Sequence, residues 1–137
     1  ANKPGWYPTG QTGYVDVRDI SRFISMLLEQ NNSGERWILN AENIPYQKIY
    51  LMIAEALGLK KQFRPAPKWL AKLILRSAGI IKGKPLGMEV LRSAYGSFSY
   101  DNSKSLQLEG FSYRPMKGTI REVVEIFATG DSKKVIG

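Results

Sequence analysis

Apolar side chains recur along this chain mostly with a helical period. Ile20, Phe23, Ile24, Leu27 and Leu28 fall at i, i+3, i+4, i+7 and i+8, which predicts a helix over 18–30, stopped by Asn31-Asn32-Ser33-Gly34. Ile49, Met52, Ile53, Ala56 and Leu57 mark a second helix over 45–57, opened by Pro45 and closed by Gly58. Pro67 opens a third, carrying Trp69, Leu70, Leu73 and Ile74 and ending near Gly79. Met88, Leu91 and Tyr95 form the inward stripe of a fourth over 86–95. Asp101 reads as the N-cap of a short helix that ends at Gly110. The last helix covers 119–128 with Ile120, Val123, Val124 and Phe127 inward. Strands are predicted at 14–17 and 36–39, with short extended pieces at 62–64 and 98–100. Residues 1–12, with Pro4-Gly5, Pro8 and Thr9-Gly10, read as loop and turn, and the tail after Gly130 as a frayed polar end.

The run Gly13-Tyr14-Val15-Asp16-Val17-Arg18-Asp19-Ile20 takes a short apolar strand straight into an amphipathic helix. Such a unit satisfies its backbone against parallel neighbours, so the expected class is α/β, with further strands outside these residues. Taken alone, the 137 residues read as an α+β piece, mostly helical with a few short strands, forming a single region over 1–137.

Composition narrows the chemistry. A hydrophobic share of 43% with three Trp supports a packed core. The absence of Cys removes disulfides, thiolate nucleophiles and Cys–metal sites, and the absence of His removes the commonest metal ligand and general base, so no metal site is expected. No apolar run reaches the roughly 18–20 residues that span a bilayer, and no secretion signal is legible, so the expected location is cytoplasmic. The net charge of +8 is concentrated late in the chain. Residues 60–84 run from Lys60 and Lys61 through Arg64, Lys68 and Lys72 to Lys84 without one acid. An anionic partner follows: an anionic small molecule or an anionic membrane surface at which the protein would be peripheral. Nucleic acid is not expected, since no binding motif for it is present.

The motifs, taken in order, resemble the extended short-chain dehydrogenases/reductases, the NAD-dependent epimerase/dehydratase group. Gly13–Ile20 is similar to the family's late strand and following helix. Gly34-Glu35-Arg36-Trp37-Ile38-Leu39-Asn40 with Ile44-Pro45-Tyr46 is similar to its next strand and helix start. Tyr100-Asp101-Asn102-Ser103-Lys104, Gly110-Phe111-Ser112-Tyr113-Arg114-Pro115 and Thr119-Ile120-Arg121-Glu122 resemble its C-terminal passage. The resemblance is nearest to the dihydroflavonol-reductase-like subgroup; Gln11-Thr12-Gly13-Tyr14 lacks the Arg of the Arg–Asp pair that sugar-nucleotide epimerases usually carry there, which speaks against a nucleotide-sugar substrate.

The resemblance implies the C-terminal, substrate-binding or lid region of an NAD(P)-dependent oxidoreductase or epimerase of Rossmann type. It implies NAD or NADP for the parent protein and an upstream Rossmann domain as partner. The glycine-rich phosphate loop is absent from these residues, so no cofactor-binding residue and no catalytic residue is assigned here, and the fragment alone is expected to be inactive. Tyr14, Arg18, Arg64, Trp69 and Arg92 are the expected substrate wall. Tyr100 and Lys104 mimic the spacing of the family's catalytic pair, but Asp101 and Asn102 start a helix after Tyr100, so the two do not share a helix face. Asp19 is expected to serve the helix start, and Trp69 to pack inward beneath a solvated basic face. The competing reading is a basic amphipathic module on anionic membranes. An exposed strand edge at 14–17 would also invite a homodimer.

Overall fold

The computed structural model describes residues 5–30, 34–73 and 88–130. Strands β1 (Gly5–Tyr7), β2 (Gln11–Tyr14), β3 (Glu42–Pro45) and β4 (Phe63–Pro65) alternate with helices α1 (Val17–Glu29) and α2 (Tyr46–Ala56). A helical stretch at 68–73, α3, follows, and then α4 (Met88–Tyr95), α5 (Ser103–Leu106) and α6 (Met116–Thr129). The predicted course of α3 beyond 73, the start of α4 at 86–87, the stop at 31–33 and the tail after 130 lie outside the described residues. Among the described residues the fold is mixed, helices with two small two-stranded sheets, β1–β4 and β2–β3.

The first twelve residues are not simply loop. β1 pairs in parallel with β4, Gly5 opposite Phe63, Trp6 opposite Arg64 and Tyr7 opposite Pro65. The aromatic pair Trp6-Tyr7 outweighs the flanking turn residues because Tyr7 is buried and its carbonyl accepts from the Ala66 amide at 2.7 Å. The strand predicted at 14–17 ends at Tyr14, because Asp16 leaves the ladder to cap α1. No strand forms at 36–39, since among the described residues none lies alongside to complete a ladder.

The described residues fall into two compact units, unit 1 within Ala1–Thr12 and Ile44–Phe98, unit 2 within Gly13–Asn43 and Ser99–Gly137. Unit 2 is built on Phe23, Leu108 and Phe111, with Met26, Leu27, Trp37, Leu39 and Tyr113 around them. Phe111 meets Phe23 and Tyr113 edge-on at 4.8 Å between centroids, the separation at which ring quadrupoles attract. The inward face of α1 is therefore Phe23, Met26 and Leu27, while Ile24 and Leu28 are exposed, against the face expected from spacing. On α6, which starts three residues earlier than predicted, Met116 is buried and Ile120 and Val124 are half-buried. Val123 is exposed and Phe127 is 84% exposed, so the inward stripe is narrower than the apolar one.

Unit 1 gathers Tyr7, Ile44, Ala54 and Leu91 as buried apolar residues. Gly10 and Gln11 thread between α2 and the end of α4. The Gly10 carbonyl accepts from the Tyr46 amide at 3.0 Å, while the Gly10 and Gln11 amides donate to the Ala94 and Gly96 carbonyls, each at 3.0 Å. A Cβ at Gly10 would stand 2.5 Å from the Ala94 oxygen and 2.6 Å from that of Gly96, so only glycine fits.

Candidate functional site

In unit 2 the charged residues at the strand–helix junction form a clamp. Asp16, 2% exposed, accepts from the Arg18 amide at 2.9 Å, from Arg18 Nε at 3.0 Å and Nη2 at 2.6 Å, and from Thr119 Oγ1 at 2.7 Å. The Arg18 hydrogen bonds, joined by that of Thr119, hold the Asp16 carboxyl well below the usual carboxylate range against the opposing effect of burial. Arg18 is held above its ordinary value by Asp16 and by Glu122, whose carboxylate it meets at 2.6 Å. Its Nε and Nη2 are thus engaged within unit 2, Nη2 by both carboxylates. Asp19, 1% exposed, accepts from the Arg114 amide at 2.8 Å and faces the side chains of Arg22 and Arg114 at 3.8 and 3.7 Å. It ties α1 to the segment before α6. Tyr14 is half-buried, and its carbonyl accepts from the Ala41 amide at 2.8 Å.

The decoy pair is resolved by the same unit. Tyr100 precedes α5 and Lys104 lies within it. Asn43 bonds both the amide and the carbonyl of Tyr100, each at 2.9 Å, and Asn40 Nδ2 also donates to that carbonyl. Lys104 sits over the Trp37 ring at 4.3 Å and pairs with Glu35 at 2.8 Å. Asp101 accepts from the Ser103 amide at 3.0 Å and caps the turn into α5, which lowers its carboxyl from the ordinary value.

In unit 1 the structure forms a cavity of about 400 Å3 lined by Lys68, Glu89, Leu91, Arg92, Tyr95 and Gly96. Glu89, Arg92 and Tyr95 follow at i, i+3 and i+6 along α4 and so share a helix face. Lys68 comes from the first turn of α3, which starts where the Pro67 carbonyl accepts from the Leu70 and Ala71 amides at 3.1 and 3.2 Å. Gly96 ends α4 with its amide on the Arg92 carbonyl at 2.7 Å, and a Cβ there would collide with that oxygen. Burial pushes the Tyr95 phenol up, so at neutral pH it is a hydroxyl able to donate. Leu91 gives a buried apolar floor.

Of the residues expected to form a substrate wall, Tyr14 and Arg18 belong to unit 2 and Arg64, Trp69 and Arg92 to unit 1. Arg92 lines the cavity; Arg64 and Trp69 do not. Arg64 stands opposite Trp6 in the β1–β4 ladder. Trp69, expected inward, is 68% exposed, because α3 turns Lys68 rather than Trp69 to the cavity. From sequence, Lys68 stands out only as one cation of the 60–84 basic run, Glu89 carries no site signal, and Tyr95 reads as an inward residue. Only the i, i+3 spacing of Glu89 and Arg92 hinted at a shared face, and nothing local placed Lys68 beside it.

Among the described residues no cluster of acidic side chains suits a metal ion, and no helix is long and apolar enough to cross a membrane. No family model and no curated protein matches the chain. Among solved structures it is similar to a protein described as the crystal structure of gox2253, with a TM-score of 0.71 and 22% identity. The likeness covers 95% of this chain and 41% of that one, so the chain spans about two fifths of its neighbour's length. At that identity the likeness concerns the fold.

Proposed function

We propose that these residues are the substrate-binding region of an NAD(P)-dependent reductase or epimerase of the extended short-chain type, the C-terminal part of a Rossmann-type protein. The observation that carries this reading is that the motifs behind the resemblance bond to one another inside unit 2. Asp16 of the first motif takes the Thr119 hydroxyl of the last, and Asp19 takes the Arg114 amide. Asn40 and Asn43 hold Tyr100, and Asn102 donates to the Asn40 carbonyl at 2.7 Å. Ser105, fully buried, meets the Tyr113 hydroxyl at 2.6 Å. Such mutual bonding gives a physical reason for the motifs to occur as an ordered set. The likeness in fold over 95% of the chain is in keeping with it.

The close-approach glycines accommodate the chain itself: Gly10 faces the Ala94 and Gly96 carbonyls, and Gly13 faces Asn40 and the Tyr100 ring. On this reading the hydride chemistry belongs to the parent protein, and the role of these residues is to bind and orient substrate. The test starts with the intact mass of the native polypeptide, followed by NAD(P)H oxidation against aldehydes and ketones. Turnover by a longer native polypeptide and none by the 137 residues alone is the expected result. Turnover by the 137 residues, or a native chain without any nucleotide-binding part, rejects the reading.

A second reading is favoured by α3. Trp69 and Leu73, one turn apart, are both exposed, beside Lys68 and Lys72 at the same spacing. An aromatic–aliphatic strip flanked by ammonium groups is the pattern of a segment that lies in the interface of an anionic bilayer. Co-sedimentation with anionic but not neutral vesicles, weakened by salt, is the expected outcome; equal pelleting with both kinds rejects it.

A further inference from the structure

We infer that the unit 1 cavity is a binding site for a small organic anion, a carboxylate or phosphate ester on an apolar or aromatic body. As a substrate site it rests on the reading above; as an anion site it stands on the cavity alone. The basic residues of unit 1 are dispersed along the chain from Lys48 to Arg92, and Glu55 and Glu89 are its acids among the described residues. Two of those cations, Lys68 from α3 and Arg92 from α4, come to one cavity although 24 positions apart in sequence. Among the described residues neither has a carboxylate within ion-pair distance, whereas Arg18, Arg22, Lys104, Arg114 and Arg121 of unit 2 each do. An ammonium and a guanidinium against the single carboxylate of Glu89 leave this concave surface with a positive excess. The guanidinium adds a planar fork that matches both oxygens of a carboxylate or phosphate.

The remaining walls define the rest of the ligand. Leu91 and the Tyr95 ring offer apolar and aromatic contact, and the Tyr95 hydroxyl a donor. Among the described residues that line the cavity, Glu89 is the one acid. It repels a second anionic group and accepts from a ligand hydroxyl or amine placed away from the anionic head. A volume of about 400 Å3 lies at the small-molecule end of ligand pockets and suits a single ring with its substituents. The class is therefore a monoanionic or phosphorylated hydroxy compound of one-ring size.

The test uses benzoate, phenyl phosphate and neutral benzamide as probes on the 137-residue chain, without nucleotide, read by amide chemical shifts. Benzoate or phenyl phosphate is expected to shift resonances of 89–96, and benzamide at equal concentration to leave them in place. Which of the two anions binds more tightly separates a carboxylate from a phosphate ligand. Lys68→Gln and Arg92→Gln should each weaken binding about fivefold, and Glu89→Gln should tighten it. Lys68 and Arg92 are exposed and lie on different helices, so both variants should keep the wild-type circular dichroism. Arg92→Lys should retain charge attraction but lose part of the affinity. Benzamide binding as well as benzoate, absence of shifts with either anion, or unchanged affinity in both variants overturns the anion site. Because no nucleotide is present, such a failure leaves the reductase reading intact. Anion binding beside a parent that never oxidises NAD(P)H would overturn that reading and not the site.

Discussion

Asp16 is the residue on which most of unit 2 converges. It caps α1, holds Arg18 and receives the Thr119 hydroxyl, with almost no exposure to water. Replacing it by Ala removes a cap and leaves buried donors unmatched, which is expected to cost about 2 kcal/mol in urea unfolding. Because its folded carboxyl is held below the ordinary value, the unfolded chain takes up the proton first on acidification. The stabilisation is thus fully present above the unfolded carboxylate pKa of about 4 and is lost as pH falls through the folded value. Asp16→Asn should flatten the acid limb of a stability–pH curve, and an unchanged limb would show that other carboxylates dominate it. Gly10 is constrained by contact instead of charge. Gly10→Ala pushes a methyl against two backbone oxygens and should lower stability by about 2 kcal/mol, measured by thermal unfolding.

At the scale of elements, helical spacing found the helices but overestimated their buried faces. Phe23 sits at the centre of the unit 2 aromatic cluster, and Phe23→Ala should cost about 3–5 kcal/mol. Leu28 and Phe127 carry the same apolar signal in sequence but are exposed, so Leu28→Gln and Phe127→Gln should each stay within about 0.5 kcal/mol of wild type in the same assay. The contrast between these changes measures directly how much of each stripe is core. The strands were less legible. β1 and β4 have three residues each and exist because they find one another 58 positions apart, Gly5 to Phe63. Such pairing leaves little local trace, while the β-prone run 36–39 stays unpaired among the described residues.

The charge of the whole molecule is sorted by unit. Among the described residues unit 1 is dominated by bases, whereas acids outnumber bases in unit 2 and most of its cations are already matched by carboxylates. Anionic partners should therefore be met by unit 1. Lys68→Glu with Lys72→Glu should abolish retention on anionic vesicles, while Arg121→Glu, from the ion pair with Glu125, should leave it near wild type. Equal losses would mean that net charge, and not its placement, governs association.

The sequence by itself located the described helices, though α5 ends at Leu106 and not at Gly110 and α6 starts three residues early, because period, Pro starts and Gly or Asn stops are local properties of consecutive residues. It also placed Asp19 and Asp101 near helix starts, since a short side-chain acceptor next to free amides needs no distant partner to be read, whereas Asp16, read as strand, is the cap of α1 and Asn102 that of α5. The excess of positive charge over the second half was visible in the same way. Only the tertiary structure decided that Arg18 is engaged by Asp16 and Glu122, that Trp69 faces outward, and that Lys68 shares a cavity with Glu89 and Arg92. Each of these depends on which surfaces meet across long stretches of chain, and periodicity states that a face is apolar or charged without stating what covers it.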